Sequence, residues 1–161
     1  MAPAVAYLAG CPATGTALRR SVNLRPIGRY VMAITRFINP STMSKPIGFA
    51  HVVEITSPGR MIYIAGQLGI DADGKVAGTL REQIAQAFEN VRQGLSTVGA
   101  GFKDIVKLNV YLVDIQANIG VFRAARDEIL ELEQPPVSTA VGVPELARPG
   151  TLVEIEAVAV L

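Results

Sequence analysis

One cysteine and one histidine occur in 161 residues. The lone Cys11 excludes an intrachain disulfide, and with a single histidine beside it no Cys/His zinc site can form within one chain; no metal is expected. Charge is also scarce. Only 18% of residues are charged, and 15 basic residues against 14 acidic ones leave a net charge of +1. So weak a field favours neither nucleic acid nor an anionic membrane as a partner. No run of about 18 apolar residues exists, so no bilayer-spanning helix is expected. Acidic residues are missing altogether before Glu54.

What is present is apolar surface. Half of the residues are hydrophobic, an excess that must be buried somewhere. The length suits one domain, assigned to residues 32–161. Residues 1–31 differ in kind. Arg19, Arg20, Arg25 and Arg29 are interleaved there with Gly, Pro, Ala and Thr, without helical or strand period. Three readings compete. The segment resembles an Arg-rich organelle transit peptide. Leu8-Ala9-Gly10-Cys11 resembles a lipoprotein cleavage box, although no Lys or Arg precedes it. Or Met32 is the true start, and what precedes it is leader or disordered tail. The cytoplasm is the expected location, with organelle targeting as the alternative.

Within the domain, 51–55 and 61–67 read as a strand and its return strand about the Ser57-Pro58-Gly59-Arg60 turn. Asp71 to Lys75 is a second turn, with Asp73-Gly74 supplying positive φ. The period then changes. Leu80, Ile84, Phe88, Val91, Leu95 and Val98 form one stripe of an amphipathic helix, opened by a Thr79/Glu82 capping box and closed by Gly99. In the strand over 104–114, Val106, Leu108, Val110 and Leu112 alternate with Lys107, Asn109, Tyr111 and Val113. Ile119, Phe122, Ala125, Ile129 and Leu132 mark a second helix, ended by Pro135-Pro136. Strands over 137–143 and 152–161 follow, joined by a loop with Pro144, Arg148, Pro149 and Gly150.

The order is β-β-α-β-α-β-β, an α+β domain with two helices packed on one face of a mixed sheet. The other sheet face is not a polar set. Leu152, Glu154, Glu156, Val158 and Val160 share one face of the last strand, and the 61–67 strand is apolar on both sides. An open apolar sheet face needs a covering partner, and self-association is the simplest one.

Ala65-Gly66-Gln67, Asp104-Ile105-Val106-Lys107 and the closing Val153-Glu154-Ile155-Glu156-Ala157, in this element order, resemble the RidA/YjgF family of reactive-intermediate deaminases, also called the L-PSP or translation-inhibitor family. The resemblance runs from about Phe37 to Leu161. It implies a chorismate-mutase-like fold and a homotrimer with sheets inward and helices outward. It also implies clefts between subunits and hydrolysis of enamines and imines to 2-oxo acids and ammonia, with no cofactor. The expected partners are therefore further copies of the chain and a small molecule, such as a 2-oxo or 2-imino acid. The family's water-positioning glutamate falls on Glu154, and its cleft aromatic, often tyrosine, on Phe49. Its carboxylate-binding arginine falls on Ser138, so the resemblance is to a subgroup lacking that arginine. The helix asparagine of deaminating members has no clear counterpart.

An arginine grips a carboxylate through two charge-assisted hydrogen bonds, whereas serine offers one neutral hydroxyl. The substitution costs roughly 1.5–3 kcal/mol of ligand binding. Glu154 reads either as a general acid/base with a pKa raised by burial at an interface, or as a structural carboxylate paired with a cation such as Lys107. Ser138 and Thr139 are ligand hydrogen-bonders or ordinary strand residues. His51, next to Phe49, enters the cleft or simply packs. Gly66 belongs to the ligand-contacting set. Tyr111 reads as sheet packing, and Asp71 and Asp73 as turn residues. Arg148 is the alternative source of a cation. Three functions remain open: imine/enamine deaminase with Glu154 as acid/base, a non-catalytic ligand-binding or regulatory trimer, and RNA cleavage or translation inhibition, which the charge balance disfavours.

Overall fold

The computed structural model describes residues 33–130 and 133–161. The N-terminal extension, the choice between Met1 and Met32 as start, and Leu132 lie outside the described residues.

The elements are β1 (Ile34–Ile38), β2 (Val52–Thr56), β3 (Met61–Leu68), α1 (Leu80–Ser96), β4 (Ile105–Val113), α2 (Ile115–Leu130), β5 (Val137–Val143) and β6 (Val153–Val160). Both helices lie against one face of a four-stranded mixed sheet ordered β3-β6-β4-β5. The β3/β6 and β6/β4 pairs are antiparallel, and β4/β5 is parallel. α2 makes the crossover that a parallel β4/β5 pair requires. The expected fold class is therefore observed, with one strand more than the sequence pattern suggested.

That strand is β1. It pairs antiparallel with β2 from Ile34↔Thr56 to Ile38↔Val52, and Arg36 and Glu54, register partners, form an ion pair at 2.8 Å. The expected hairpin of β2 with β3 is consequently not formed. The turn is present, with Ser57 at φ 52, but the two strands it joins enter different sheets. The burial needs of the strands explain this. β2 is exposed at every second residue and is satisfied by a two-stranded ribbon. β3 carries Ile62 and Ile64 against the helical core and pairs with β6.

α1 begins as its sequence dictates. The Thr79 side chain accepts from the Glu82 amide, and the Glu82 carboxylate accepts from the Thr79 amide at 2.7 Å. These Thr79 bonds hold the Glu82 carboxyl below its usual range. Gly99, at φ +76, ends the helix, with the Ala100 amide donating back to the Leu95 carbonyl. Ile84, Phe88, Val91 and Leu95 are fully buried. Val98, expected on the same stripe, is exposed, because the helix has ended at Ser96 and the stripe no longer propagates. Phe122 and Ala125 of α2 meet Leu108, Val110 and Leu112 of β4 and Val153, Ile155, Ala157 and Ala159 of β6 in one core. Gln83, the one buried glutamine among the described residues, is satisfied: its amide donates to Ala77 and Gly150 carbonyls, and its oxygen accepts from the Leu152 amide.

Candidate functional site

The face of the sheet away from the helices holds the candidate glutamate. Along β6, Val153, Ile155, Ala157 and Ala159 are buried against the helices, so Glu154, Glu156 and Val158 point the other way. Register partners extend this face across the sheet. Val141, Tyr111, Glu154 and Leu68 form one row, and Thr139, Asn109 and Glu156 form the next. Lys107 and Val158 are followed by Tyr63 in a third row.

Glu154 lies over the backbone of Gly66. A Cβ built on Gly66 would meet the Glu154 carboxylate, with the carboxyl carbon at 2.7 Å and Cγ at 3.0 Å. β3 is irregular here: its register against β6 shifts between Ile64 and Gln67, as at a β-bulge, and Gly66 is inside that shift. The bulge turns the Gly66 backbone toward the open face, and the absence of a side chain leaves room for the carboxylate. The structure thus places side by side Gly66 and Glu154, which the resemblance named separately as a ligand contact and a catalytic residue. Among the described residues no cation pairs with Glu154 or Glu156. Lys107 instead shares with Glu156, Asn109, Tyr63 and Val158 the wall of a shallow depression of about 420 Å³.

Glu156 is held differently. Its Oε2 accepts from the Asn109 amide at 3.0 Å and from the Tyr111 hydroxyl at 3.2 Å. The hydrogen bond to Glu156, its charge, burial and the Glu154 charge together push the Tyr111 phenol above its ordinary pKa. Tyr111 is therefore more than the packing residue expected. Asn109 and Tyr111 were visible in sequence only as the alternate positions of a strand; that they answer Glu156 depends on the β4/β6 register, which spacing does not encode.

The remaining candidates gather at the β5 edge. Ser138 is in register with fully buried Leu108 and so faces the helix side of the sheet, opposite to Glu154. Thr139 faces the Glu156 row and is exposed. Phe49 and His51 flank Ala50, which bridges to Val137 and donates its amide to the Pro136 carbonyl. Their rings meet edge to face at 5.4 Å. The His51 Nε2 donates to the Ser44 carbonyl at 2.8 Å, and its backbone amide donates to Asn39, so this histidine is anchored within its own loop. Arg148 donates to the Gly74 carbonyl and holds that turn.

One cation near this edge escaped the sequence pattern. Arg126 of α2 is 5% exposed, with its guanidinium over the Phe122 ring and against the backbone of Gly48. Its Nε donates to Asp127 at 2.8 Å; Nη2 lies 2.6 Å from the same oxygen without the alignment of a hydrogen bond. Gly48, at φ +68, leaves no room there for a Cβ. A buried arginine in a helix otherwise read by its apolar period gives no sequence signal of its own.

Comparison with known proteins agrees with this architecture. The Endoribonuclease L-PSP family profile matches residues 42–161. The chain is 31% identical over 135 residues to the 2-iminobutanoate/2-iminopropanoate deaminase of Dermatophagoides farinae, covering 81% of this chain and 99% of that one. It is 31% identical to the protein MMF1, mitochondrial, of Saccharomyces cerevisiae, over 89% of this chain and 97% of the relative. A crystal structure from Yersinia pestis, a protein of unknown function of the conserved Rid family, superposes with a TM-score of 0.73 at 38% identity, over 79% of this chain and 98% of that one. A mixed sheet with both helices on one face, a glutamate over a bulge glycine on the other, and a profile match through the C-terminus identify the chain as a member of the Endoribonuclease L-PSP, or Rid, family.

Proposed function

We propose that this chain hydrolyses reactive imines and enamines of small 2-amino-acid-derived metabolites to 2-oxo acids and ammonia, with Glu154 as the general acid/base. The single observation that carries the reading is the state of Glu154: a carboxylate on an open sheet face, set over Gly66 and bound by no cation among the described residues. Two same-face glutamates in different settings are a recurrent way to separate a working carboxylate from a structural one. Here Glu156 is the braced partner. The name of the Dermatophagoides relative supports the reaction class. Imine hydrolysis needs only a positioned water and a proton carrier, so no cofactor is invoked.

The same reading takes the working form to be a homotrimer with clefts between copies. Tyr63 is 72% exposed in the single chain, and Met61 and Val141 on the same sheet face are exposed too. Covering that face removes apolar area from water. It also offers a way to bring Glu154 of one copy near the Phe49, His51, Ser138 and Thr139 edge of another, since one copy holds Ser138 and Glu154 on opposite faces. The cytoplasm is the proposed location. An organelle is the alternative favoured by the acid-free, Arg-rich N-terminus and by the mitochondrial name of the yeast relative.

A second reading, ligand binding without turnover, is favoured by Ser138 and Phe49, which offer neither a guanidinium nor a phenol. Generating 2-iminopropanoate in situ and following its loss separates the two. The proposal expects loss faster than in buffer, abolished in Glu154→Ala. A rate equal to buffer, with a ligand-dependent rise in melting temperature, would establish the binding reading instead. RNA cleavage, the activity in the family's name, is disfavoured by a net charge of +1.

A further inference from the structure

Resting on that reading of Glu154, we propose that Tyr111 is a further catalytic residue, whose phenol oxygen accepts a hydrogen bond from the water that Glu154 activates. Tyr111 and Glu154 are register partners on β4 and β6, so their side chains start side by side on the open face. The Tyr111 hydroxyl does not stay in its own row. It donates to Glu156 in the next row at 3.2 Å, onto the same oxygen that the Asn109 amide holds at 3.0 Å. Its proton is thereby committed to Glu156, and its lone pairs are left to accept.

The neighbouring charges keep it that way. Glu156 and Glu154 both disfavour a phenolate, and the phenol's pKa is raised accordingly. Lys107, the cation lining the depression beside Glu156, makes no ion pair with either carboxylate. Tyr111 is then a neutral acceptor that does not compete with Glu154 as a base. A water between them donates one O–H to Glu154 and the other to Tyr111. Both of its protons are engaged, and its lone pair points away from the sheet, toward a bound substrate.

The reaction balances without a further reactant. The water oxygen bonds to the imine carbon as the C=N π pair moves to nitrogen. The water proton passes to Glu154 and then to that nitrogen, giving a carbinolamine. Glu154 next takes the carbinolamine O–H proton and delivers it to nitrogen as the C–N bond breaks. The products are the 2-oxo acid and ammonia, and Tyr111 keeps its proton throughout.

The test uses the full chain and in situ 2-iminopropanoate, with kcat, KM and melting temperature measured for Tyr111→Phe, Glu156→Gln and the double variant. Loss of one neutral hydrogen bond to the water corresponds to a fall in kcat of about tenfold, with KM little changed. Glu156→Gln removes the charge that fixes the direction of the phenol proton, so the double variant should be no slower than the slower single variant. A Tyr111→Phe kcat within about twofold of wild type, strictly multiplicative losses, or losses that track the fraction of unfolded protein in both single variants would overturn the role of Tyr111 and leave the deaminase reading standing. A wild-type rate equal to buffer would overturn both.

Discussion

At the scale of single residues, two glycines carry more of the account than most side chains. Gly66 leaves the space that the Glu154 carboxylate occupies. Gly66→Ala should cost about 1–3 kcal/mol through overpacking and should cut imine hydrolysis because Glu154 must move; thermal melting and kcat on the one variant check both effects. Gly48→Ala places a Cβ against the Arg126 guanidinium at φ +68. The left-handed backbone alone costs about 1–2 kcal/mol, and chemical denaturation should show at least that loss. Glu154 was legible in the sequence as the first glutamate of a Glu-x-Glu strand. The partners of Glu156 were not, because Asn109 and Tyr111 lie 47 and 45 residues away and meet it only through strand pairing. Ser138 was legible as a departure from the family pattern, but the face it occupies follows from the parallel register with Leu108.

At the scale of elements, the helices were the most readable parts, because their signals are local. The Thr79/Glu82 box and Gly99 mark the ends of α1 without reference to the rest of the fold. Thr79→Ala should destabilise the protein by about 1 kcal/mol, measured by denaturant unfolding. The pH dependence has a definite sign. Glu82 and Glu89 have folded-state pKa values below the ordinary 4.5, Glu82 through Thr79 and Glu89, at about 2, through Arg92 and then Gln93. Their contribution is complete above pH 4.5 and is lost as pH falls through the folded values. Melting temperatures between pH 5 and pH 2 should therefore fall less steeply for Glu89→Gln than for wild type. β1 was not legible: Ile34 to Ile38 is short, holds Arg36, and follows a segment without period, so only its pairing with β2 defines it. The β2–β3 hairpin was misread for a related reason. A good turn between two strands says that the chain reverses, not that the strands pair.

At the scale of the whole molecule, the sheet has one face filled by helices and another that holds Glu154, Glu156, Lys107 and the exposed Tyr63. That asymmetry was readable from the two-sided apolar character of the 61–67 strand and from the alternation in 152–161. On the proposed function, this face works only when another copy covers it, uniting Glu154 with the β5 edge. The direct measurement is native mass together with imine hydrolysis, for the wild type and for Tyr63→Asp, which puts a charge on the exposed face while leaving the helical core untouched. A three-copy, active wild type and a folded, single-copy variant with no activity above buffer are expected. A single-copy protein that hydrolyses the imine at the wild-type rate would contradict it.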